Sequence, residues 1–512
     1  MAYCTLKNVV IFVFALSFVF HPYLTAYQDF DPKKLDTYIK KSMESWEVPG
    51  MAIAVVQNGN ISFINGYGIA SVETKEPVDK DTIFSIASCT KAFTAAALVM
   101  LQEEKKLSLD DKVCSLLKDF QLSNPYATQE LTLRDLCLHR SGIGMPDLLL
   151  WYETPLDRKE ILEKVRYLPL LQGFRNQFQY SNLMYIALGE IIPSVTSISW
   201  DSFIHERFFV PLEMKRSFTS NSLVKGKPNV ASPHQKIDGI LKTVYITNTD
   251  NEGPAASIHS SVSDMSRWIQ MLLQGGVYKE KRIFNKNSIE QIFTPQICVT
   301  NDLCKTFRPP EVKFLSYGLG WYCYNYHGAT VVEHTGCIDG MGALVLMVPE
   351  KNLGIVILTN RLLNGLPFSI ANHLLDSLFG LPERNWNDLL HQTSIDFEKL
   401  RENENKNAER EHVLNTLPSL TLKEYEGNYT NDFGVARISL QNGDLFLDLL
   451  GFHYPLTHWH FDTFQFDPHD RFPLLPKTTI TFTVNRSGKV ANFKLVSYPW
   501  IEDKWEKEPT KE

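Results

Sequence analysis

The chain has no long apolar run after its first twenty residues, no long basic block and too few cysteines for a disulfide framework. The first absence removes any later membrane-crossing helix, which needs about 18 uninterrupted apolar residues. The second, with 51 Lys+Arg against 58 Asp+Glu and a net charge of −7, disfavours a nucleic-acid partner. Eight cysteines are spread over 512 residues, and Cys298 and Cys304, six apart in a polar stretch, are the best candidates for a bridge. No repeat of solenoid period is present. What remains is an ordinary globular composition, 44% hydrophobic and 21% charged, long enough for two domains.

The N-terminus reads as an address. Lys7 precedes a run from Val9 to Phe20 that is apolar except for Ser17, and Leu24-Thr25-Ala26 ends in a small residue suited to cleavage. Twelve residues rise about 18 Å as a helix, short of a roughly 30 Å bilayer core. Residues 1–26 are therefore expected to be a signal peptide. The mature chain is expected to be secreted, or periplasmic in a bacterium, with no membrane association after cleavage. Sequons at Asn60, Asn428 and Asn485 would be glycosylated in a eukaryotic secretory route.

Helical and strand-like segments alternate from Asp31 to about Gly380. Leu35, Tyr38, Ile39, Met43 and Trp46 have helical spacing, and Met51–Gln57 turns at Asn58-Gly59 into Ile61–Ile69. Ala92–Lys106 is rich in Ala, Leu and Met, so it predicts a buried helix. Ala343–Val348, Leu353–Leu358 and Ser369–Phe379 predict a closing hairpin and helix. Asp396–Glu411 is almost wholly charged or Asn and cannot seed a core. Beyond Leu420 the pattern has period two, with turns at Asn442-Gly443-Asp444 and Asn485–Lys489. The expected domains are 27–380, a charged linker or helix at 381–420, and a small all-β domain at 421–512.

Chemistry points to Ser88-Cys89-Thr90-Lys91 at the mouth of the Ala-rich helix. Positions i and i+3 share a helix face, so the Lys91 amine can reach the Ser88 hydroxyl. Such a pair is reactive only when the serine proton has somewhere to go. The spacing alone is weak evidence, because Ser115/Lys118 and Ser222/Lys225 repeat it. Two later segments, in a fixed order along the chain, carry more weight. Tyr180-Ser181-Asn182 stands 92 residues after Ser88, and His334-Thr335-Gly336 comes 154 residues later, just before Cys337.

Ser88-x-x-Lys91, Tyr180-x-Asn182 and His334-Thr335-Gly336 resemble the three motifs of the serine β-lactamase and penicillin-binding-protein family: class C β-lactamases, D,D-carboxypeptidases, D-aminopeptidases and related esterases of the S12 peptidase type. Leu136–Gly142 (LCLHRSG) and Ile258–Trp268 resemble two accessory segments of the same family. The resemblance implies an α/β (α+β) domain with an antiparallel sheet flanked by helices, followed by a C-terminal lipocalin-like β domain.

The resemblance also assigns roles. Ser88 would be the nucleophile, and Lys91 and Tyr180 would share the proton traffic. Asn182 would position the substrate or Lys91, and the backbone N–H groups of Ser88 and Cys337 would form an oxyanion hole. His334, Thr335 and Gly336 would line the substrate site. His334 stands where β-lactamases usually carry lysine; an imidazole of ordinary pKa is mostly neutral at pH 7, so carboxylate recognition should weaken.

The implied function is an acyl-enzyme hydrolase acting on a small-molecule or peptide ester or amide, without a cofactor. The alternatives are a secreted extracellular-matrix protein that retains the scaffold, and a D,D-peptidase of cell-wall substrates. His139 reads as structural. His458, His460 and Asp462 fall at i, i+2 and i+4, a strand face compatible with metal ligation, with His453 and His469 nearby. A polar outer face, with Trp459 and Phe461 turned inward, is the preferred reading, so no metal is expected.

Overall fold

The computed structural model describes residues 31–508, apart from 145–147, 153, 238, 301–305, 363, 397–398, 400–411, 450–451, 468–476 and 498–500. The signal-like segment 1–26, Cys304, His469 and nearly all of the charged stretch lie outside the described residues, and Cys298 is a free, exposed thiol.

The chain enters through α1 (Pro32–Ser45), where Asp31 caps the helix by accepting from the Lys33 N–H and Pro32 occupies the first turn, in which a missing donor costs nothing. Strands β1 (Gly50–Gln57) and β2 (Asn60–Gly68) follow as the expected hairpin. Helices α2 (Thr90–Glu103), α3 (Asn182–Thr196) and α4 (Val262–Leu273) come from the long middle region. The sheet is completed by β3 (Ile297–Val299), β4 (Leu315–Tyr317), β5 (Tyr322–Tyr326), β6 (Ala329–Ile338), β7 (Met341–Val348) and β8 (Leu353–Thr359), and α5 (Leu366–Leu378) closes the domain. All neighbours are antiparallel, in the order β2-β1-β8-β7-β6-β5-β4-β3.

Every residue of β1 is buried because both sheet faces are covered. Alternation along the strand sends Met51, Ile53 and Val55 into a core with Leu35 and Ile39 of α1 and Leu374 of α5. Ala52, Ala54 and Val56 face the opposite core, which contains Trp268 and Ile269 of α4 and most of α2. The Ala-rich sequence of α2 is thereby explained: it is buried from Thr90 to Leu101, and small side chains let it lie between neighbours on every side. No single helix among the described residues is long and apolar enough to cross a membrane.

The C-terminal domain is a closed antiparallel barrel of β9 (Gly427–Asn431), β10 (Gly434–Gln441), β11 (Asp444–Leu449), β12 (Phe452–His460), β13 (Thr463–Phe466), β14 (Thr478–Val484), β15 (Val490–Ser497) and β16 (Ile501–Lys507). Pairing of Tyr429 with Lys507 closes it, which removes both sheet edges. Alternate residues, including Tyr429, Ile438, Leu447, Phe482, Phe493 and Trp505, fill its interior. The Phe433 ring, at the β9–β10 turn, packs edge-on against Tyr167 of the first domain at 6.4 Å.

The histidine stretch departs from expectation. His458, His460 and Asp462 do not share one strand face, because the β12–β13 register shifts between His458 and His460 and Asp462 lies in the turn beyond. A bulge breaks the period of two. Phe461, expected inside, sits in that turn with φ of 45° and is 54% exposed. His460 Nδ1 accepts from the Val413 N–H and Asp462 accepts from Ser419 and Tyr425, so each group serves a separate loop contact.

Candidate active site

A short two-residue strand, Phe84–Ser85, pairs with His259–Ser260, and the Ile86 N–H donates to Ile258 O at 3.0 Å. The chain then turns through Ala87, whose φ of 43° is left-handed, and one 3-10 turn leads into α2. A β-carbon in that region costs roughly 1–2 kcal/mol, so the surroundings must enforce it. Part of that enforcement is the Ala87 N–H donating to Ser85 Oγ. The turn leaves Ser88 half-buried at the helix mouth while Cys89, Thr90 and Lys91 are buried behind it.

Lys91 is fully buried, and its Nζ donates to Ser88 Oγ at 3.2 Å, Asn182 Oδ1 at 2.6 Å and Ala255 O at 3.0 Å. The ammonium also lies 4.7 Å from the Tyr180 ring centroid and 5.5 Å from that of Tyr185, within cation–π range. Three distant segments meet on this one atom. Asn182 is the first residue of α3, and Ala255 belongs to a helical turn, Gly253–Ala256. Thr94 of α2 holds that turn by donating to Pro254 O at 2.7 Å, and Trp200 Nε1 in turn donates to Thr94 Oγ1.

Tyr180 is set by His139. The two rings stack at 4.4 Å, and the Ser181 N–H donates to His139 Nδ1 at 3.1 Å. Nδ1 is therefore the unprotonated nitrogen, consistent with a pKa that burial and the Lys91 charge push well below the ordinary value. His139 is structural in the sense that it carries the Tyr180–Asn182 segment.

The opposite wall is β6, which runs past Glu333 and takes in the whole His334-Thr335-Gly336-Cys337 segment. β7 pairs with it as far as Ile338, whereas β5 pairs only as far as Glu333. From His334 onward, that edge of β6 has no strand beside it among the described residues. Gly336 permits the close approach: a β-carbon there would stand 2.0 Å from Ile86 O and 3.2 Å from Ala87 Cβ. Cys89 Sγ adds a second tie by donating to His334 O at 3.3 Å.

His334 is only 1% exposed. Its Nδ1 lies 2.6 Å from Thr335 O, an acceptor, so Nδ1 carries the proton; Nε2 accepts from the Tyr317 hydroxyl at 3.0 Å. Burial first, then the Lys91 charge, pushes its pKa down to about 3. The imidazole is neutral, and both nitrogens are engaged inside the protein. Beside it, Glu333 forms a buried ion pair with Arg308.

Ser88, Lys91, Tyr180 and Asn182 thus converge, and Thr335, Gly336 and Cys337 lie along the adjoining strand, with Cys337 exposed. The other two Ser-x-x-Lys copies do something else: Ser115 donates to Lys112 O and Ser222 to Asp250. Sequence reasoning missed the Ala255 carbonyl and Tyr317. A backbone acceptor leaves no signature, and Tyr317 is one of several tyrosines in the stretch 317–326. Among the described residues no group of three or more His, Cys, Asp or Glu side chains is placed to hold a metal.

Comparison with known proteins gives the family. The β-lactamase family matches residues 35–377, and a domain of unknown function, DUF3471, matches residues 411–510. The unguisins hydrolase UngD of Aspergillus violaceofuscus is 27% identical over 79% of this chain and 76% of its own length. Protein Flp of Staphylococcus aureus strain MW2 is 27% identical over 67% of each chain. The octameric penicillin-binding protein homologue from Pyrococcus abyssi has a TM-score of 0.61 at 23% identity, covering 93% of this chain and all of that one. The penicillin-binding protein of Bacillus halodurans has a TM-score of 0.55 at 21% identity, over 66% of this chain and 99% of its own. The family match spans well over half of the sequence, and the chain belongs to the β-lactamase family of serine hydrolases.

Proposed function

We propose that the protein is an exported hydrolase that forms an acyl-enzyme on Ser88 from an ester, amide or peptide substrate. The observation that carries this reading is the Lys91 amine, 3.2 Å from Ser88 Oγ and held from behind by Asn182 and Ala255. On losing a proton, the amine in that position keeps two donors for Asn182 Oδ1 and Ala255 O and can turn its lone pair to the serine proton. Ser88 Oγ attacks the carbonyl carbon, its proton passes to the Lys91–Tyr180 pair, and that pair returns a proton to the departing alcohol or amine. Water then attacks the acyl-serine by the same route in reverse. The backbone N–H groups of Ser88 and Cys337 would take the developing negative charge, each such donor being worth roughly 10²–10³ in rate.

Neutral, buried His334 supports esters and amides over substrates held by a carboxylate, since it offers no cation. That argues against the cell-wall D,D-peptidase alternative, and the collected nucleophile and base favour turnover over a purely structural matrix role. Export rests on the segment 1–26. The test is mass spectrometry after reaction with a fluorophosphonate probe: the adduct should map to Ser88 and vanish in Ser88→Ala. Unlabelled folded protein, or Ser88→Ala hydrolysing activated esters like the parent, would refute the proposal.

A further inference from the structure

One of the acceptors that hold Lys91 Nζ is a backbone carbonyl, Ala255 O, in the short helical turn Gly253–Ala256 that follows the 3-10 turn Asp250–Glu252. So short a turn has no internal use for its last carbonyls. The Ser257 N–H takes Gly253 O, and Ala255 O accepts from Lys91. A single helical turn is also weak by itself, because one closing bond does not offset the order it requires. Its position must come from what grips it.

Two grips come from α2 and α3. Thr94 donates to Pro254 O at 2.7 Å, and the Pro254 ring lies on Gly189, where a β-carbon would stand 2.0 Å from Pro254 Cγ. The third is Arg158. Its Nε and Nη2 donate as a fork to Asp250 O at 3.2 and 3.0 Å, and the same oxygen accepts from the Gly253 N–H. Nη2 also lies against Gly253, only 2.0 Å from where a β-carbon would be. Arg158 thus ties the start of one turn to the start of the next.

Arg158 is well placed to hold them. It opens the helix Arg158–Lys164, whose start is fixed by a capping box: Asp157 accepts from the Glu160 N–H at 2.8 Å, and Glu160 from the Asp157 N–H at 2.9 Å. Ile161 and Leu162 bury the inner face of that helix. Nη1 donates to Asp201 Oδ2 at 3.0 Å and lies 3.8 Å from Glu190 of α3, while the guanidinium stands 5.5 Å from the Trp200 ring centroid. Trp200 is the residue whose Nε1 donates to Thr94 Oγ1. Two of the three grips therefore share one aromatic support.

We infer that Arg158 is a positioning residue for the Ser88 reaction: it fixes residues 250–256 so that Ala255 O keeps Lys91 Nζ aimed at Ser88 Oγ. This rests on the Ser88 hydrolase reading and deepens it by one residue that acts through Lys91. With Ala255 O free to drift, Nζ loses an acceptor that orients it, and its 3.2 Å approach to Ser88 Oγ lengthens. A misplacement of 1 Å costs on the order of 10²-fold in rate, so loss of one grip among three should cost about tenfold.

The test is the rate at which a fluorophosphonate labels Ser88, followed together with kcat and KM on a neutral p-nitrophenyl ester. Arg158→Met, which keeps an unbranched stem beside Trp200, should slow labelling and lower kcat about tenfold, with KM within twofold. In a Lys91→Met background, where labelling is read over hours, adding Arg158→Met should change the rate by less than twofold, because the two residues act on one step. A residue that served stability alone would cost the same factor in both backgrounds. Gly253→Ala keeps every charge and pushes the guanidinium away with its new β-carbon; it is read against the same limits where Arg158→Met folds poorly. A loss below threefold, or one that persists beyond twofold without Lys91, would overturn the inference and leave the Ser88 reading standing. No labelling of Ser88 in the parent would overturn both.

Discussion

Replacing Gly336 by alanine probes how closely β6 must lie against the turn that presents Ser88. The new β-carbon would sit 2.0 Å from Ile86 O and 2.9 Å from Ile86 C, against about 3.5–4.0 Å for a relaxed carbon contact. Backbone rather than a side-chain tip is the obstacle, so either β6 retreats or the Ile86–Ala87 peptide shifts, by about an ångström or more. That displacement would separate the N–H groups of Ser88 and Cys337, which share one oxygen on the proposed acyl-enzyme reading. A 1 Å misplacement of this kind costs on the order of 10²-fold in rate, and overpacking costs about 1–3 kcal/mol of stability. The assay is kcat/KM on a neutral activated ester, with thermal melting in parallel. Gly354→Ala is the comparison: its β-carbon meets Ile269 Cδ1 at 2.8 Å, a side-chain end that can swing aside. It should melt slightly lower and keep its kcat. Wild-type kcat/KM and melting temperature in Gly336→Ala would refute the reasoning.

Lys91→Met should lower kcat/KM by about 10³ while the protein still folds and binds substrate, measured by steady-state kinetics with circular dichroism as the fold check; a drop below tenfold would remove Lys91 from the proton path. Arg308→Met strands the buried Glu333 carboxylate and should cost about 3–5 kcal/mol in urea unfolding, most of it recovered when Glu333→Leu is added. Equal stability of the single and double variants would contradict this. Stability should also depend on pH through His334, which titrates at about 3 when folded and near 6.5 when unfolded, so between those values the unfolded chain binds the extra proton. Its stabilising effect is complete above about pH 6.5 and drains away as pH falls toward 3. His334→Asn should therefore show a flatter fall in urea midpoint between pH 7 and 4.5 than the parent, and equal slopes would show that His334 is not held neutral.

Much of the fold could be read from periodicity. The first helix and hairpin, the Ala-rich helix and the closing hairpin and helix all appear within a few residues of expectation, because each has a strong pattern over a long segment. The barrel strands were legible where turn residues such as Asn442-Gly443 mark the hairpins. At the site, the Ser88–Lys91 spacing occurs twice elsewhere, so it was the ordered resemblance to the family's three motifs, with Tyr180, Asn182 and His334, that singled out this copy. The Ala255 carbonyl and the Tyr317 hydroxyl were not legible, since contacts made across 164 and 17 residues depend on tertiary packing alone. The histidine trio misled because a single inserted residue shifts every later side chain by one face.

The antiparallel pairing of β1 with β8 joins Met51 to Thr359 and Gln57 to Leu353, so a central strand made near the start of synthesis waits some three hundred residues for its neighbour. A nascent chain can form helices and the first hairpin while still on the ribosome, yet the sheet stays open until almost the entire domain has emerged. Shortened transcripts ending before residue 353 should yield chains that chaperones hold and proteases clear. On the proposed export route the same delay has a use, because a polypeptide that cannot close early remains threadable through a translocation channel.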